Sequence, residues 1–185
     1  VDWFGRPTRH EASFRLSLQA GTLLYEFWAN KAPQADLSHR PGDFVEGLWE
    51  HDVAELFIMA PEGRYQELNL SPCGAWWSAT FDEYRKRSAA WRCPSVSTDA
   101  GWDDRSWWAK LAINLEDLVV LEGRGLEEAW LNVAAILDPE SPEYLCLGAG
   151  AQAGEPDFHR NVNFLPVCLM EPTACPGNPR RFTNP

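Results

Sequence analysis

Residues 52–59 read DVAELFIM, residues 61–63 read PEG, and residues 64–71 read RYQELNLS. Two eight-residue runs rich in apolar positions, separated by a Pro-Glu-Gly turn signal, form the pattern of an antiparallel β-hairpin. Side chains alternate across a strand with period two. Ala54, Leu56 and Ile58 therefore share one face, and Leu68 and Leu70 share a face on the second run. Val53, Glu55, Phe57 and Met59, with Tyr65, Glu67, Asn69 and Ser71, point the other way. A turn centred near Glu62 sets Phe57 opposite Glu67 and Glu55 opposite Asn69. One side of the hairpin is aliphatic and belongs in a core, and the other is a mixture of carboxylates, an amide and aromatic rings.

The same grammar extends outward. Pro72, Cys73 and Gly74 turn the chain into residues 75–82 (AWWSATFD), where Trp77, Ala79 and Phe81 suit the core and Trp76, Ser78 and Thr80 join the polar face. Residues 13–19 (SFRLSLQ) and 23–29 (LLYEFWA) flank Gly21 as a second hairpin. Residues 95–99, 106–114, 130–137, 144–148 and 162–170 read as further strands, and 115–118 as a helical turn. No stretch sustains a helical period over three turns. The expected fold is all-β, an antiparallel β-sandwich. Residues 1–170 are read as one domain, and 171–185, rich in Pro and Arg, as an irregular tail packed on the body. Residues 30–48, with Pro33, Pro41 and Gly42, form a long loop of the kind that often carries function.

Composition narrows the partners. The formal net charge is −11, which argues against nucleic acid and against an anionic membrane surface, because both draw on clustered Lys and Arg. No run approaches the roughly 20 apolar residues that span a bilayer as a helix. Five cysteines with no C-x-x-C spacing, and a start without an apolar leader, point to reduced thiols and a cytoplasmic setting. Neither a P-loop, an H-E-x-x-H nor a G-x-S-x-G run is present, and Gly123-Arg124-Gly125 lacks the third glycine of a dinucleotide loop, so no cofactor, metal site or catalytic residue is expected. Ten tryptophans in 185 residues demand either a heavily aromatic core or an aromatic binding surface.

A sugar presents hydroxyls around its edge and C–H groups on its faces. A site for one needs carboxylates and amides beside flat rings, and the polar side of the hairpin offers both. The same composition also suits a plain solvated outer face of an antiparallel sheet.

Several spaced segments carry a resemblance. Leu48-Trp49-Glu50-His51 followed by Glu55-Leu56-Phe57 is similar to the L-W-x-H-x-x-x-E-x-F segment of DOMON-like, family 9-type carbohydrate-binding modules. Tyr65-Gln66-Glu67-Leu68-Asn69-Leu70-Ser71-Pro72-Cys73-Gly74-Ala75-Trp76 resembles their Y-x-E-x-N-x-S-P-x-G-x-W, and Phe81 through Tyr84-Arg85 their F-x-x-Y-R. Pro156-Asp157-Phe158-His159 with Phe164 resembles their P-D-F-H ending. Residues 90–140 agree only in layout, and Asp52 and Cys73 stand where Thr and Ser are expected. The resemblance implies an immunoglobulin-like or jelly-roll sandwich that holds a carbohydrate or other small molecule on a concave sheet face. It carries Trp49, His51, Glu55, Glu67, Asn69, Trp76, Arg85 and His159 over as candidate ligand-binding residues.

Each candidate also has a structural role open to it. Trp49 and Trp76 fit a core or its rim, His159 a hydrogen-bonded interior, and Asn69 a turn. Arg85 is expected beside Glu55 or Glu67, where it would neutralise two carboxylates on one sheet face. Three other functions stay open. A glycosidase could use Glu55 and Glu67. A haem-binding DOMON domain would need Met59 and His159 as axial ligands. A protein-interaction module could use the same aromatic face.

Overall fold

The computed structural model describes residues 1–148, 154–170 and 180–181. Among them there are twelve β-strands, several single 3-10 turns and no α-helix. The strands are β1 (Ala12–Gln19), β2 (Thr22–Ala29), β3 (Val53–Met59), β4 (Tyr65–Leu70), β5 (Trp76–Glu83) and β6 (Lys86–Arg87). They continue as β7 (Val96–Trp102), β8 (Trp107–Asn114), β9 (Trp130–Leu137), β10 (Glu143–Cys146), β11 (Leu165–Pro166) and β12 (Arg180–Arg181). Two antiparallel sheets result, ordered β12-β1-β2-β8-β7 and β10-β9-β3-β4-β5-β6, with β11 also on β9. The architecture is a β-sandwich. Apart from the backbone pairing of β12 with β1, the tail expected over 171–185 lies outside the described residues.

The hairpin at the centre has the register counted from its turn: Glu55 pairs with Asn69 and Phe57 with Glu67. Gly63, at φ 89°, supplies the left-handed residue that the turn needs. Ala54, Leu56, Ile58, Leu68 and Leu70 meet Leu23, Tyr25, Phe27, Ala109, Leu111 and Ile113 of the facing sheet, and this interdigitated layer is the main core.

The third strand departs from its expected orientation. Ser71 N–H donates to the Ala75 carbonyl at 2.9 Å, closing the turn so that Leu70 pairs with Trp76 and Leu68 with Ser78. Directly opposed residues share a face, so Trp76 joins Leu68 and Leu70 in the main core, and Trp77, Ala79 and Phe81 join Glu67 and Tyr65 on the other side. Trp76 is 4% exposed, and its indole N–H reaches the Gly42 carbonyl at 3.2 Å. The strand expected over 162–170 shrinks to the two residues of β11 after a 3-10 turn at Asn161–Asn163. There Asn163 is buried and turns inward to donate to the Asp157 carbonyl.

The second sheet is buried on both sides. Every residue of β3 and β4 is buried. Its outer face carries a second apolar layer of Trp3, Leu48, Val53, Phe57, Tyr65, Trp77, Phe81, Phe158 and Phe164. The N-terminal segment, the 3-10 turn Leu48–Glu50 and residues 156–164 lie across this face.

A buried charged cluster ties the long loop to the sheet. Lys31 Nζ contacts Asp52 Oδ2 and lies 3.2 Å from Asp138 Oδ1. Asp52, fully buried, also accepts from the backbone N–H of Gln34 at 2.7 Å and of Asp138 at 2.8 Å. The loop runs on beside β5, where Val45 N–H donates to the Trp76 carbonyl and Trp76 N–H to that of Asp43, each at 2.9 Å.

Two stability outcomes are expected in urea titrations. Asp52→Ala takes one of two carboxylates from the buried Lys31 ammonium and leaves the Gln34 and Asp138 N–H groups without their acceptor, and should cost about 3–5 kcal/mol, whereas replacing both partners (Lys31→Met with Asp52→Leu) should cost less. Trp76→Ala empties a core position and should cost about 3–5 kcal/mol. A Trp76→Ala protein as stable as wild type would mean that this ring is not packed between the sheets.

Candidate ligand-binding site

The outer face of the second sheet is built in cross-strand rows. One row runs Ala134 (β9), Glu55 (β3), Asn69 (β4), Trp77 (β5), and the next runs Asn132, Phe57, Glu67, Ala79. Glu55 and Glu67 are diagonal neighbours on adjacent strands, so both carboxyl groups rise from one floor. Over this floor opens a cleft of about 380 Å³, walled by Trp49, Trp77, Phe81, Tyr144, Pro156 and Phe158 and edged by Arg85, Arg87 and His159. A hollow of about 520 Å³ on the facing sheet is lined by Arg15, Glu26, Asp99 and Lys110, a ladder of alternating charges on a solvated strand surface. The smaller cleft is the better candidate, since it combines aromatic walls with converging buried polar groups.

Burial dominates the electrostatics of the floor. Glu55 is 4% exposed, and its carboxyl has no hydrogen bond or ion pair among the described residues. Burial pushes its pKa above the usual carboxylate range, and the charge of Glu67 pushes the same way. Burial also raises Glu67, to about 7, against the opposing pull of the Asn69 amide and of Arg87 and Arg85. The Asn69 amide lies beside Glu67, yet neither its nitrogen nor its oxygen has a partner at hydrogen-bonding geometry.

One hydrogen-bonded chain fixes the edge of the cleft. Arg85 has φ 54°, and this left-handed turn residue aims its backbone N–H at Tyr65 Oη, 3.0 Å away. The phenol accepts there, so its own proton goes to His159 Nδ1 at 2.9 Å. The other ring nitrogen, Nε2, then carries the imidazole proton and faces Glu67 Oε2 at 3.8 Å, beyond hydrogen-bond reach. Burial, aided by the charge of Arg85, lowers His159 to about 4, so the ring is neutral. Phe57, Tyr65 and Phe81 meet it edge to face.

Asp157 holds the strap above the cleft. It takes a hydrogen bond from Tyr84 Oη and another from Arg85 Nη2 at 2.9 Å, and these outweigh the upward push of burial to keep it ionised. Asn132, buried on β9, donates to the Phe158 carbonyl at 3.1 Å. The Asp-Phe-His segment is thereby sewn to the sheet at both ends.

Of the candidate residues, the structure brings together Trp49, Glu55, Glu67, Arg85 and His159 around the cleft. Asn69 lies in the same row as Glu55 but beneath the surface. Trp76 is on the opposite face, in the main core. His51 lies in a separate hollow with Asp36, His39 and Glu50, because the 3-10 turn that points Trp49 at Trp77, ring centroids 5.3 Å apart, carries His51 away. Arg85 forms no ion pair with Glu55 or Glu67: Asp157 takes its guanidinium, and its charge reaches the glutamates only through space. Met59 is buried in the apolar layer and does not line the cleft. Sequence reasoning missed Trp77, Phe81, Arg87, Tyr144 and Phe158. Trp77 and Phe81 were within reach, since the count across the Pro72–Gly74 turn decides their face.

No family model and no curated protein matches the chain. Among solved structures, it is similar to the crystal structure of a candidate carbohydrate-binding protein from Bacteroides uniformis. The likeness has a TM-score of 0.63 at 18% sequence identity and covers 89% of this chain and 80% of that one. At that identity the likeness is one of fold.

The raised Glu67 makes a pH prediction. Its folded pKa of about 7 exceeds its ordinary 4.5, so its contribution to stability is fully present below about pH 4.5 and is lost as pH rises through 7. Glu67→Gln, which cannot ionise, should gain on wild type by at least about 1 kcal/mol between pH 5 and pH 8. Urea midpoints of the two proteins at both pH values check this. A difference that does not change with pH would mean that Glu67 is ordinarily solvated.

Proposed function

We propose that this chain is a non-catalytic carbohydrate-binding domain, of the DOMON-like, family 9 type that its motifs resemble, and that the sugar occupies the cleft on the outer face of the second sheet. The observation that carries this reading is a buried carboxyl, Glu55, facing an aromatic-walled cleft without a protein partner. Buried polar groups are ordinarily hydrogen-bonded, and an unpartnered acceptor beside open space marks where ligand hydroxyls bind. Trp49 and Trp77 supply stacking surfaces for the C–H faces of a ring. Glu55 and Glu67 hydrogen-bond its hydroxyls, the His159 Nε2–H donates, and Arg85 and Arg87 close the rim. Trp77 has here the role that residue order assigned to Trp76. The sandwich likeness to a candidate carbohydrate-binding protein points in the same direction.

The same floor argues against hydrolysis. A glycosidase sets its acid and its nucleophile or base on two sides of the scissile bond. Glu55 and Glu67 stand on adjacent strands under one side of any occupant, an arrangement suited to gripping a ligand.

Intrinsic tryptophan fluorescence, titrated with a panel of mono- and disaccharides, tests the reading. Wild type should respond to at least one sugar. Trp49→Ala, at a half-buried ring, should weaken that sugar at least tenfold while the thermal midpoint moves by only a few degrees. A silent wild type across the panel removes the assignment.

A further inference from the structure

We propose that the ligand group seated on the floor of the cleft is a primary ammonium, so that the domain selects an amino sugar over its neutral parent; this rests on the carbohydrate reading above. Glu55 lines the cleft with no hydrogen bond or ion pair among the described residues, and Glu67 has the Asn69 amide beside it and the Nε2–H of a neutral His159 at 3.8 Å. The buried Asn69 amide lies beneath the floor beside Glu67, with neither its oxygen nor its nitrogen at hydrogen-bonding geometry. Two carboxyl groups thus face the cleft, and the protein brings no cation and no donor at hydrogen-bonding geometry to either.

The cations nearby are already engaged. Arg85 is held by Asp157 at 2.9 Å, and Arg87 by Glu46 at 2.8 Å while its guanidinium lies over the Trp77 ring. Both side chains are half exposed at the rim. Two acidic side chains therefore share the floor with no cation paired to either, and an ammonium supplies a positive charge and up to three hydrogen-bond donors at once. Its hydrogen bonds to carboxylate would be charge-assisted and roughly twice as strong as those of a hydroxyl. A neutral diol offers two donors and leaves the repulsion between adjacent carboxylates in place, so that one of them must stay protonated.

Titration supplies a signature. The groups around Glu55 and Glu67 are Tyr65 and Asn69 on β4, Arg85 and Arg87 around the β5–β6 hairpin, Tyr144 on β10, Asp157 and His159 on the strap, and, from β2 of the facing sheet, the buried Tyr25, whose phenol is pushed up by burial and by the charge of Glu55. Glu67 sits near 7 and Glu55 stays above the usual range. An ammonium favours their ionised forms and expels a proton on binding. Affinity for the amine should therefore fall from pH 7 to pH 5.5, where the amine stays charged and the acids do not, while affinity for a neutral sugar should not fall.

Isothermal titration of the whole chain at pH 7 tests this, using matched trios: each 2-amino-2-deoxyhexose (gluco, galacto and manno), its parent hexose and its N-acetyl derivative. The expected result is at least a tenfold preference for one free amine over both companions. Glu55→Gln and Glu67→Gln, each isosteric and each verified by its thermal midpoint, should reduce that preference below about threefold. The preference should also shrink at pH 5.5. A parent or N-acetyl sugar that binds as tightly as the amine overturns the ammonium while leaving a sugar site. Silence from every trio overturns both readings. Calcium chloride is titrated in parallel, and tight binding that is lost in Glu55→Gln would assign the floor to a metal ion and overturn the ammonium.

Discussion

The molecule is organised around a sheet that has no solvated side. Strands β3 and β4 lie between the main core and a second apolar layer, so every polar side chain on them is taken out of water. Desolvating an amide or a hydroxyl without compensation costs on the order of 1–3 kcal/mol, and a charge costs more. Asn132 offsets this by bonding the Phe158 carbonyl, and Gln66 by bonding Ser78 at 3.2 Å. Glu55, Glu67 and Asn69 have no such arrangement. They sit together, diagonal and adjacent, at the one place on this face where the covering layer parts into a cleft. Unpartnered polar atoms also lie elsewhere in the interior, at Gln66 Oε1, Tyr25 Oη and the Trp107 indole, so it is the coincidence of unrepaid desolvation with the cleft that marks this floor as the candidate site.

The covering layer is held by polar rather than apolar bonds. Asp157 gathers Tyr84, Arg85 and its own strap. Tyr65 Oη hydrogen-bonds His159 Nδ1, and Arg85 adopts a left-handed backbone to donate to Tyr65. Residues far apart in sequence, on β4, on the β5–β6 hairpin and at 157–159, become one unit. Such networks specify a geometry when every member is satisfied. Here they fix the tautomer of His159 and leave its free N–H facing the cleft. The F-x-x-Y-R and P-D-F-H segments are thus explained by structure before any ligand is invoked: Tyr84, Arg85, Asp157 and His159 form the frame, and only the outward tips of Arg85 and His159 reach the opening.

This separates what was legible in the sequence from what was not. The β3–β4 hairpin could be read in full, because alternation plus a counted turn fixes a register and a one-residue slip would reverse every side chain. The same count over Ser71 to Ala75 sets Leu70 opposite Trp76, yet assigning Trp77, Ala79 and Phe81 inward by their apolar character gave the reverse. That rule assumes one wet face, and it fails on a sheet buried on both. The position of His51, the Arg85–Asp157 pair and the aromatic walls from Tyr144 and Phe158 depend on how distant loops fold back over the sheet. No periodicity encodes that, and only the resemblance in residues 156–164 hinted that this segment belonged near Glu67.

The chemistry of the floor follows from its position rather than from its residue types. Two glutamates on a solvated sheet would be ordinary ionised surface groups, and across a wide cleft they could act as acid and nucleophile. Buried side by side under one wall, they repel each other and lose hydration together, and both pKa values move up. The protein could have cancelled this by turning Arg85 or Arg87 inward. Instead Asp157 and Glu46 hold the two guanidiniums at the rim. The result is a pocket whose entrance is electrically balanced and whose floor is not, so an occupant is discriminated chiefly by what it can donate at the bottom.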